Sequence, residues 1–258
     1  GIDALVEIVG QLQGAPIPVS VLETDVLPAR MDDYHPGDLD ALCTAGEVVW
    51  VGTGALGSND GRVRLLFRDQ AGLLVTPESE EPPSDPVHQA LVGQLEARGA
   101  SFWPDLQRAV ADAGLPYDDP SVLAALWDLV WAGVITNDSL APLRALGTKA
   151  RSRSSTAGRA ARRGPRAARL ARMGPPSAAG RWSLVAPLFE PLPTATESAH
   201  ARAGQLLERY GVLTREAALG EGAEGGFAGV YPVLSALEDR GHVRRGYFVA
   251  GLGAAQFA

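Results

Sequence analysis

The feature that most constrains this sequence is a phrase of ten residues that occurs three times. The pattern Leu-x-x-Leu-x-x-x-Gly-x-Val/Ile begins at Leu39, at Leu126 and at Leu234. Leucines three residues apart lie on one face of a helix, and a glycine just beyond the last turn can adopt the left-handed conformation that ends it. The β-branched residue that follows favours an extended segment. Each copy therefore predicts a helix, a stop and a strand, so the chain is built from repeated units.

Further helical and hairpin signals surround these phrases. At least one more helical pattern precedes each copy, and in the first unit the turn Asn59-Asp60-Gly61 separates two strand-like segments. Helices followed by a two-stranded hairpin are the order of a winged helix. The predicted fold class is therefore α+β and mostly helical, with tandem winged-helix modules that each combine a helix-turn-helix with a two-stranded wing. We expect a piece of a longer protein, with module 1 at 1–75, module 2 at 86–148, an Arg-rich flexible linker at 149–180, and module 3 at 181–258, truncated at its wing.

The charge is unevenly distributed along the chain. The net charge is −7, yet residues 139–189 contain no Asp or Glu and hold 11 of the 23 basic residues. A cationic segment of this kind favours binding to a polyanion such as nucleic acid, and a flexible spacer is the alternative interpretation. The arginines predicted to contact nucleic acid in this segment are Arg151, Arg153, Arg159, Arg162, Arg163, Arg166, Arg169 and Arg172.

Several classes of function are excluded or disfavoured. No apolar run approaches the roughly 18 residues that a membrane span needs. The single Cys43 excludes an intramolecular disulfide and suits a reducing cytosol. The four histidines are too scattered for a short metal motif. The glycine pattern at 52–57 follows a strand but leads into a second strand instead of a helix, so it predicts a hairpin loop and not a dinucleotide site. We expect no catalytic residue, cofactor or metal in this chain.

The third unit offers the best additional candidates for a nucleic-acid surface. Arg240 ends its repeat helix, and Arg244, Arg245 and Tyr247 open its wing, a combination of cations and an aromatic ring that suits phosphates and bases. The first wing has a similar but weaker edge, formed by Arg62 and Arg64. Solvated strand positions are the alternative reading for all these arginines.

The repeat helices of the first two units favour contact with protein. The first contains acidic residues, and the second is almost wholly apolar, with Trp127 and Trp131 four residues apart. Acidic or apolar helices do not attract phosphate. Trp127 and Trp131 are therefore the candidate protein-interface residues, and they would make an oligomer contact if the modules leave them exposed.

Three segments resemble the C-terminal region of the large helicase-related (Lhr) family. They are residues 26–30, residues 42–56 with Ala45-Gly46-Glu47-Val48-Val49-Trp50 at their centre, and residues 246–257. The similarity spans most of the chain except the Arg-rich segment.

The resemblance implies a non-catalytic segment of a superfamily 2 ATP-dependent 3′–5′ DNA helicase or translocase in DNA repair, with ATP and Mg expected only in a motor domain outside this chain. It implies oligomerisation through the winged-helix modules and auxiliary binding to single-stranded or forked DNA in the bacterial cytosol or nucleoid. Part of a base-excision DNA glycosylase is one alternative, although the glutamine-x-glutamine motif of related glycosylases is missing after Gln256. A pure protein-interaction scaffold is the other.

Overall fold

The computed structural model describes residues 1–75, 81–115, 118–152, 174–222, 225–252 and 256–258, and for 148–152 it describes the backbone alone. In the first module, α1 is followed by a short strand β1, by α2 with a π-helical turn, by α3, and by the long hairpin of β2 and β3. The short helix α4 follows the hairpin. The bounds are α1 Ile2–Leu12, β1 Ile17–Pro18, α2 Val19–Val21, π-turn Leu22–Val26, α3 Pro36–Ala45, β2 Val48–Ala55, β3 Gly61–Phe67 and α4 Ala71–Leu74.

The second module repeats this order. A helix, a short strand, two helices and a strand are followed by α8, a 3-10 turn, the strand β6 and a second 3-10 turn. The bounds are α5 Pro86–Arg98, β4 Ser101–Phe102, α6 Trp103–Asp112, α7 Asp119–Trp131, β5 Ile135–Asn137, α8 Ala141–Ser152, 3-10 turn Pro176–Ala178, β6 Arg181–Leu184 and 3-10 turn Ala186–Phe189.

The third module has the same order with shorter strands. Its first two helices begin at threonine caps, Thr194 and Thr214, whose side chains accept hydrogen bonds from backbone N–H groups of the first turn. The bounds are α9 Ala195–Tyr210, α10 Arg215–Gly220, α11 Gly226–Asp239, β7 Arg245–Gly246 and β8 Gln256–Phe257.

All three modules share one sheet topology. The strand order is β1-β3-β2 in the first sheet and β4-β6-β5 in the second, and all pairs are antiparallel. In the third, β7 pairs with β8, and Leu213 bridges to Phe257 on the other side of β8. The last strand of each module therefore lies between the other two. The predicted mostly helical α+β fold of winged-helix modules is confirmed.

The three repeat helices end as the sequence predicts. Gly46, Gly133 and Gly241 follow α3, α7 and α11, with φ values of 78°, 71° and 75°. The third of these helices begins at Gly226 and contains Pro232 in its interior.

The structure corrects the predicted boundary at residue 181. Strand β6 pairs with both β4 and β5 of the second module, and Trp182 is fully buried in that module's core. Ser177 and Ala178, inside the predicted linker, are buried as well. Residues 138–180 are therefore the connection within the wing of the second module, and not a linker to the third. The sequence missed this wing because its two strands are far apart in the chain.

The wing of the third module, which the sequence predicted to be truncated, forms a paired hairpin within this chain. Residues 245–246 pair with residues 256–257, which closes the hairpin within this chain.

The first two modules are fused through one hydrophobic core. Buried side chains from α1, α3 and β2 belong to the same cluster as those of α5, α7 and β5. Inside it, the Trp50 indole N–H donates to the carbonyl of Ser139 at 3.1 Å, and the Thr136 hydroxyl donates to the carbonyl of Trp50. The third module has a core of its own around Leu206, Leu234 and Phe257. No helix in the described ranges is long and apolar enough to cross a membrane.

Candidate nucleic-acid interface

The wing of the third module exposes a group of aromatic and cationic side chains. Tyr247 is 79 % exposed, Phe248 is 46 % exposed and Val249 is 41 % exposed, although all three have large apolar surfaces. Arg240 and Arg244, which precede these residues in the chain, are exposed as well. From residue 240 to residue 258 the sequence contains no Asp or Glu. Arg240, Arg244 and Tyr247, which the sequence predicted for this region, are thus all exposed.

Arg245, the third predicted arginine, is held against its own module. Its Nε lies 3.3 Å from Oε2 of Glu238, and its Nη1 donates to the hydroxyl of Tyr231 at 2.9 Å. Tyr231 in turn packs edge-on against the buried ring of Phe257, with centroids 5.8 Å apart. Arg245 therefore anchors β7 to α11, and its charge is partly offset by Glu238.

One residue that sequence reasoning missed fixes the shape of this wing. Gln256 is 1 % exposed, and its side chain makes four hydrogen bonds to the loop above it. Its Oε1 accepts from the N–H groups of Phe248 at 2.8 Å and Val249 at 2.7 Å, while its Nε2 donates to the carbonyls of Val249 at 3.0 Å and Leu252 at 3.2 Å. A buried polar side chain with all its groups bonded rigidifies the backbone around it.

The repeat helix of the first module is covered by the second. Leu140 N–H donates to Oδ1 of Asp40 at 2.8 Å, and the Thr44 hydroxyl donates to the carbonyl of Asp138 at 3.2 Å. Arg144 also donates to the carbonyl of Pro36 at 3.2 Å. Contacts with the second module therefore extend from the first turn of α3 to its last.

Charged side chains reinforce this contact. Arg144 Nη1 lies 2.6 Å from Oδ2 of Asp40, and Nε lies 2.5 Å from Oε2 of Glu23. Burial by itself lowers the pKa of Arg144, but the hydrogen bonds to Glu23 and Asp40 outweigh it and raise the pKa above its ordinary range. Burial and then the hydrogen bond to Glu23 raise the pKa of Tyr34. These carboxylates are thus engaged with one cation inside the molecule.

The two tryptophans predicted as an oligomer interface are used inside the chain. Trp127 is 6 % exposed, and its indole N–H donates to the carbonyl of Ser177 at 3.2 Å. Its ring packs edge-on against Trp182 and, tilted, against Trp131. Trp131 is partly buried and lies over Gly61 in the wing of the first module. Trp127 is therefore not exposed, so the condition for the predicted oligomer contact is not met at this residue, and Trp131 contacts the neighbouring module.

The other predicted arginines have different settings. Arg62 is exposed on β3, whereas Arg64, on the same strand, is half-buried. Arg151 lies in the last turn of α8, where the backbone alone is described. Outside the described residues lie Arg153, Arg159, Arg162, Arg163, Arg166, Arg169 and Arg172.

No group in the described part of the chain has the composition of a metal site. Cys43 is buried in α3, and burial, followed by the charge of Asp40, raises the pKa of its thiol to about 12. A protonated, buried thiol is a packing group and not a nucleophile at neutral pH. The glycine pattern at 52–57 lies at the end of β2 and in the hairpin loop, as predicted.

The repeated topology, with the last strand between the other two, defines this chain as a tandem winged-helix protein. Comparison with known families shows which winged-helix family the chain matches. The family model described as a large helicase-related protein winged-helix domain matches residues 192–258, and a second with the same description matches residues 1–68. The chain belongs to the large helicase-related (Lhr) family.

Two curated relatives match the whole chain. It is 41 % identical over 264 residues to the "Lhr helicase/ probable uracil glycosylase" of Mycolicibacterium smegmatis. It is 39 % identical over 268 residues to the "Lhr helicase/uracil glycosylase" of Escherichia coli. Each match covers 100 % of this chain and 17 % of the relative, so the chain spans about a sixth of the length of these proteins.

Proposed function

We propose that this chain is an auxiliary nucleic-acid-binding segment, in which the first two modules form a scaffold and the third module's wing makes the contact. The observation that carries the proposal is the joint exposure of Tyr247, Phe248, Arg240 and Arg244 within one short stretch of sequence that contains no acidic residue. Cations neutralise phosphates, and exposed rings offer stacking platforms for bases.

The settings of the other two repeat helices support a scaffold role for the first two modules. Helix α3 is covered by Leu140 and Arg144 of the second module. Helix α7 packs against β2 of the first, so close that a Cβ on Gly52 would come 2.0 Å from the carbonyl oxygen of Val130. A helix covered in this way cannot enter a DNA groove. The third module, with α11 and its wing, is therefore the one whose surface is available for nucleic acid.

The Arg-rich segment is a second contact in this proposal. The segment carries many arginines. It connects β5 to β6, two paired strands of the second module's wing, so both of its ends are attached to that module. Tethering at both ends keeps the cations near one module, which raises the local affinity for a polyanion. We extend the proposal to a parent DNA helicase in repair, to self-association through surfaces other than Trp127, and to a cytosolic location.

The test is a titration of the chain with a fluorescent single strand over a range of salt concentrations. The double variant Arg240→Ala, Arg244→Ala removes two exposed cations from the wing. We expect weaker binding and a slope of log K against log salt that is shallower by about 1 to 2. Deletion of residues 153–173 is expected to weaken binding further.

The matched control is Arg98→Ala, Arg108→Ala, which removes the same charge from exposed positions of the second module. We expect it to bind like the unaltered chain. Equal weakening by the two double variants would reduce the effect to net charge, and no binding at low salt would leave the scaffold role alone.

A base-excision role is the second candidate, because the names of both relatives include a uracil glycosylase. Such enzymes turn a base out of the strand into a pocket beside an acid or base. Incubation of this chain with uracil-containing DNA, followed by alkaline cleavage of abasic sites, tests whether the segment acts alone. Strand cleavage above background would move the activity to this chain.

A further inference from the structure

We propose that the wing loop of the third module is a base-stacking site for single-stranded nucleic acid, held in its binding shape by the buried side chain of Gln256. This inference rests on the proposed function and specifies its ligand, namely unpaired bases instead of a duplex. It also assigns different roles to Tyr247, which touches the base, and to Gln256, which positions the loop.

The first step is the exposure of Tyr247. At 79 % it is the most exposed large apolar side chain of the described residues, although its module has a core containing Phe257 and Tyr231 in which aromatic rings pack. A ring left in water buries little apolar area in the isolated chain. A base that stacks on it would cover one of its apolar faces.

The second step is the fixed backbone beneath that ring. Gln256 bonds to Phe248, Val249 and Leu252 through both ends of its amide, so the loop that follows Tyr247 is set before any ligand arrives. Gly246 contributes as well, because a Cβ there would come 3.2 Å from Cζ of Phe248. The Phe248 ring thus folds back over the strand while Tyr247 points outward. A preformed platform loses little conformational entropy on binding.

The third step is charge. Arg245 is paired with Glu238, but Arg240 and Arg244 are exposed. Both follow Asp239 in the sequence, and no acidic residue comes after it. Phosphates spaced along a single strand can reach these guanidinium groups while one base lies on the ring. In a duplex the base faces are already stacked, so Tyr247 would find only an end or a gap.

The experiment compares two strands of equal length and charge, one of oligo-dT and one with abasic residues in place of the bases. Fluorescence anisotropy at fixed salt is expected to show that the chain prefers the base-containing strand by roughly ten-fold. Tyr247→Ala should abolish the preference, and Tyr247→Phe, which keeps the ring, should retain it. Leu219→Ala, another exposed apolar residue of this module, is the matched control and should change nothing.

The role of Gln256 has its own readout. In the unbound chain, the amide hydrogens of Phe248 and Val249 should exchange slowly, since both are bonded to a buried oxygen. Gln256→Leu removes the four hydrogen bonds to the loop without changing the charge, and it should reduce the preference for bases while leaving the salt slope unchanged.

The outcomes separate the two proposals. If neither strand binds at low salt, the proposed function fails. If both strands bind equally well, or if Tyr247→Ala keeps the preference, the chain binds nucleic acid but the stacking site is wrong. Fast exchange of the Phe248 and Val249 amides in the free chain would overturn the preformed loop even if Gln256→Leu does not fold.

Discussion

The indole ring of Trp131 lies directly over Gly61, so that a Cβ at residue 61 would come 2.5 Å from Cζ3 of the ring. Trp131 ends the repeat helix of the second module, and Gly61 begins the second wing strand of the first. Together with the approach of Val130 to Gly52, this contact fuses two modules that the sequence presents as separate units. Their interface needs hydrogen atoms at both glycines.

Substitution of these glycines should therefore loosen the joined modules. Gly52→Ala places a methyl group against a backbone carbonyl, which cannot rotate away, and we expect a loss of about 1–3 kcal/mol in the free energy of unfolding. Gly61→Ala should cost less, because the Trp131 side chain can shift. Gly37→Ala, with open space around its Cα in α3, is the control and should be neutral or slightly stabilising. Denaturant unfolding measures all three, and an unchanged midpoint for Gly52→Ala would contradict the close approach.

Arg144 should stabilise the same junction through its two carboxylates. Arg144→Met keeps the apolar stem and leaves Glu23 and Asp40 without their shared cation, and we expect a loss of about 1–3 kcal/mol, since the group is only partly buried. Arg144→Lys should recover little of it, because one ammonium cannot reproduce the forked contacts. A double-mutant cycle with Asp40→Ala should give a coupling energy clearly above zero. Additive effects would show that Arg144 acts through packing alone.

The third module should depend on Arg209 for its attachment to the first. Arg209 Nε donates to the carbonyl of Gln11 at 2.9 Å, next to Gln205, which donates to the carbonyl of Gly10 at 2.8 Å. These carbonyls belong to the last turn of α1, where a helix lacks internal partners and favours cations.

Arg209→Ala also removes the cationic partner of Glu221, which keeps its hydrogen bond from the Tyr210 hydroxyl. We expect calorimetry to show a separate, earlier transition for the third module, with a destabilisation of about 2 kcal/mol. The exposed Arg215→Ala is the control and should melt like the unaltered chain. A single unshifted transition for Arg209→Ala would mean that this contact does not hold the module.

Cys43 should contribute to a loss of stability in alkali. Burial raises the pKa of its thiol from 9.0 to about 12, so the folded chain keeps a proton that the unfolded chain releases. The corresponding stability is present below about pH 9 and is lost as the pH rises towards 12. Tyr210, whose pKa burial and then Glu221 raise to about 12, acts in the same direction.

Cys43→Ala should be less stable at neutral pH because of the lost packing, but its free energy of unfolding should fall less steeply between pH 9 and 12. Denaturant midpoints measured at several alkaline pH values give the two slopes. Parallel slopes would mean that the buried thiol does not couple to folding.

Local signals in the sequence predicted the helices, their glycine ends and the wing arginines, because caps and periodicity act within a few residues. Gly46 and Gly241 adopt the expected left-handed conformation for this reason. The pairing of β6 with β5 was missed, since that strand returns only after a long connection. The burial of Trp127 involves a hydrogen bond to Ser177, which lies in the same connection. No pattern in the repeat helix itself could reveal this contact.

The sequence predicted the cations and one aromatic ring of the candidate site, but not the residue that positions its loop. Arg244 and Tyr247 were identified as types that suit nucleic acid, whereas Gln256 was read as the remnant of a missing motif. Its four hydrogen bonds to the wing loop depend on the hairpin being closed, which is a tertiary feature. The exposure of Phe248 likewise follows from how that loop turns.

Hydrogen exchange of the whole chain, with and without a single-stranded oligonucleotide, tests the central claim most directly. Backbone amides report contact at every segment without any substitution. We predict that nucleic acid slows exchange in residues 244–252 and leaves α3 and α7 unchanged. Protection concentrated in α3 or α7, with none in the third wing, would contradict the assignment of the contact to the third module.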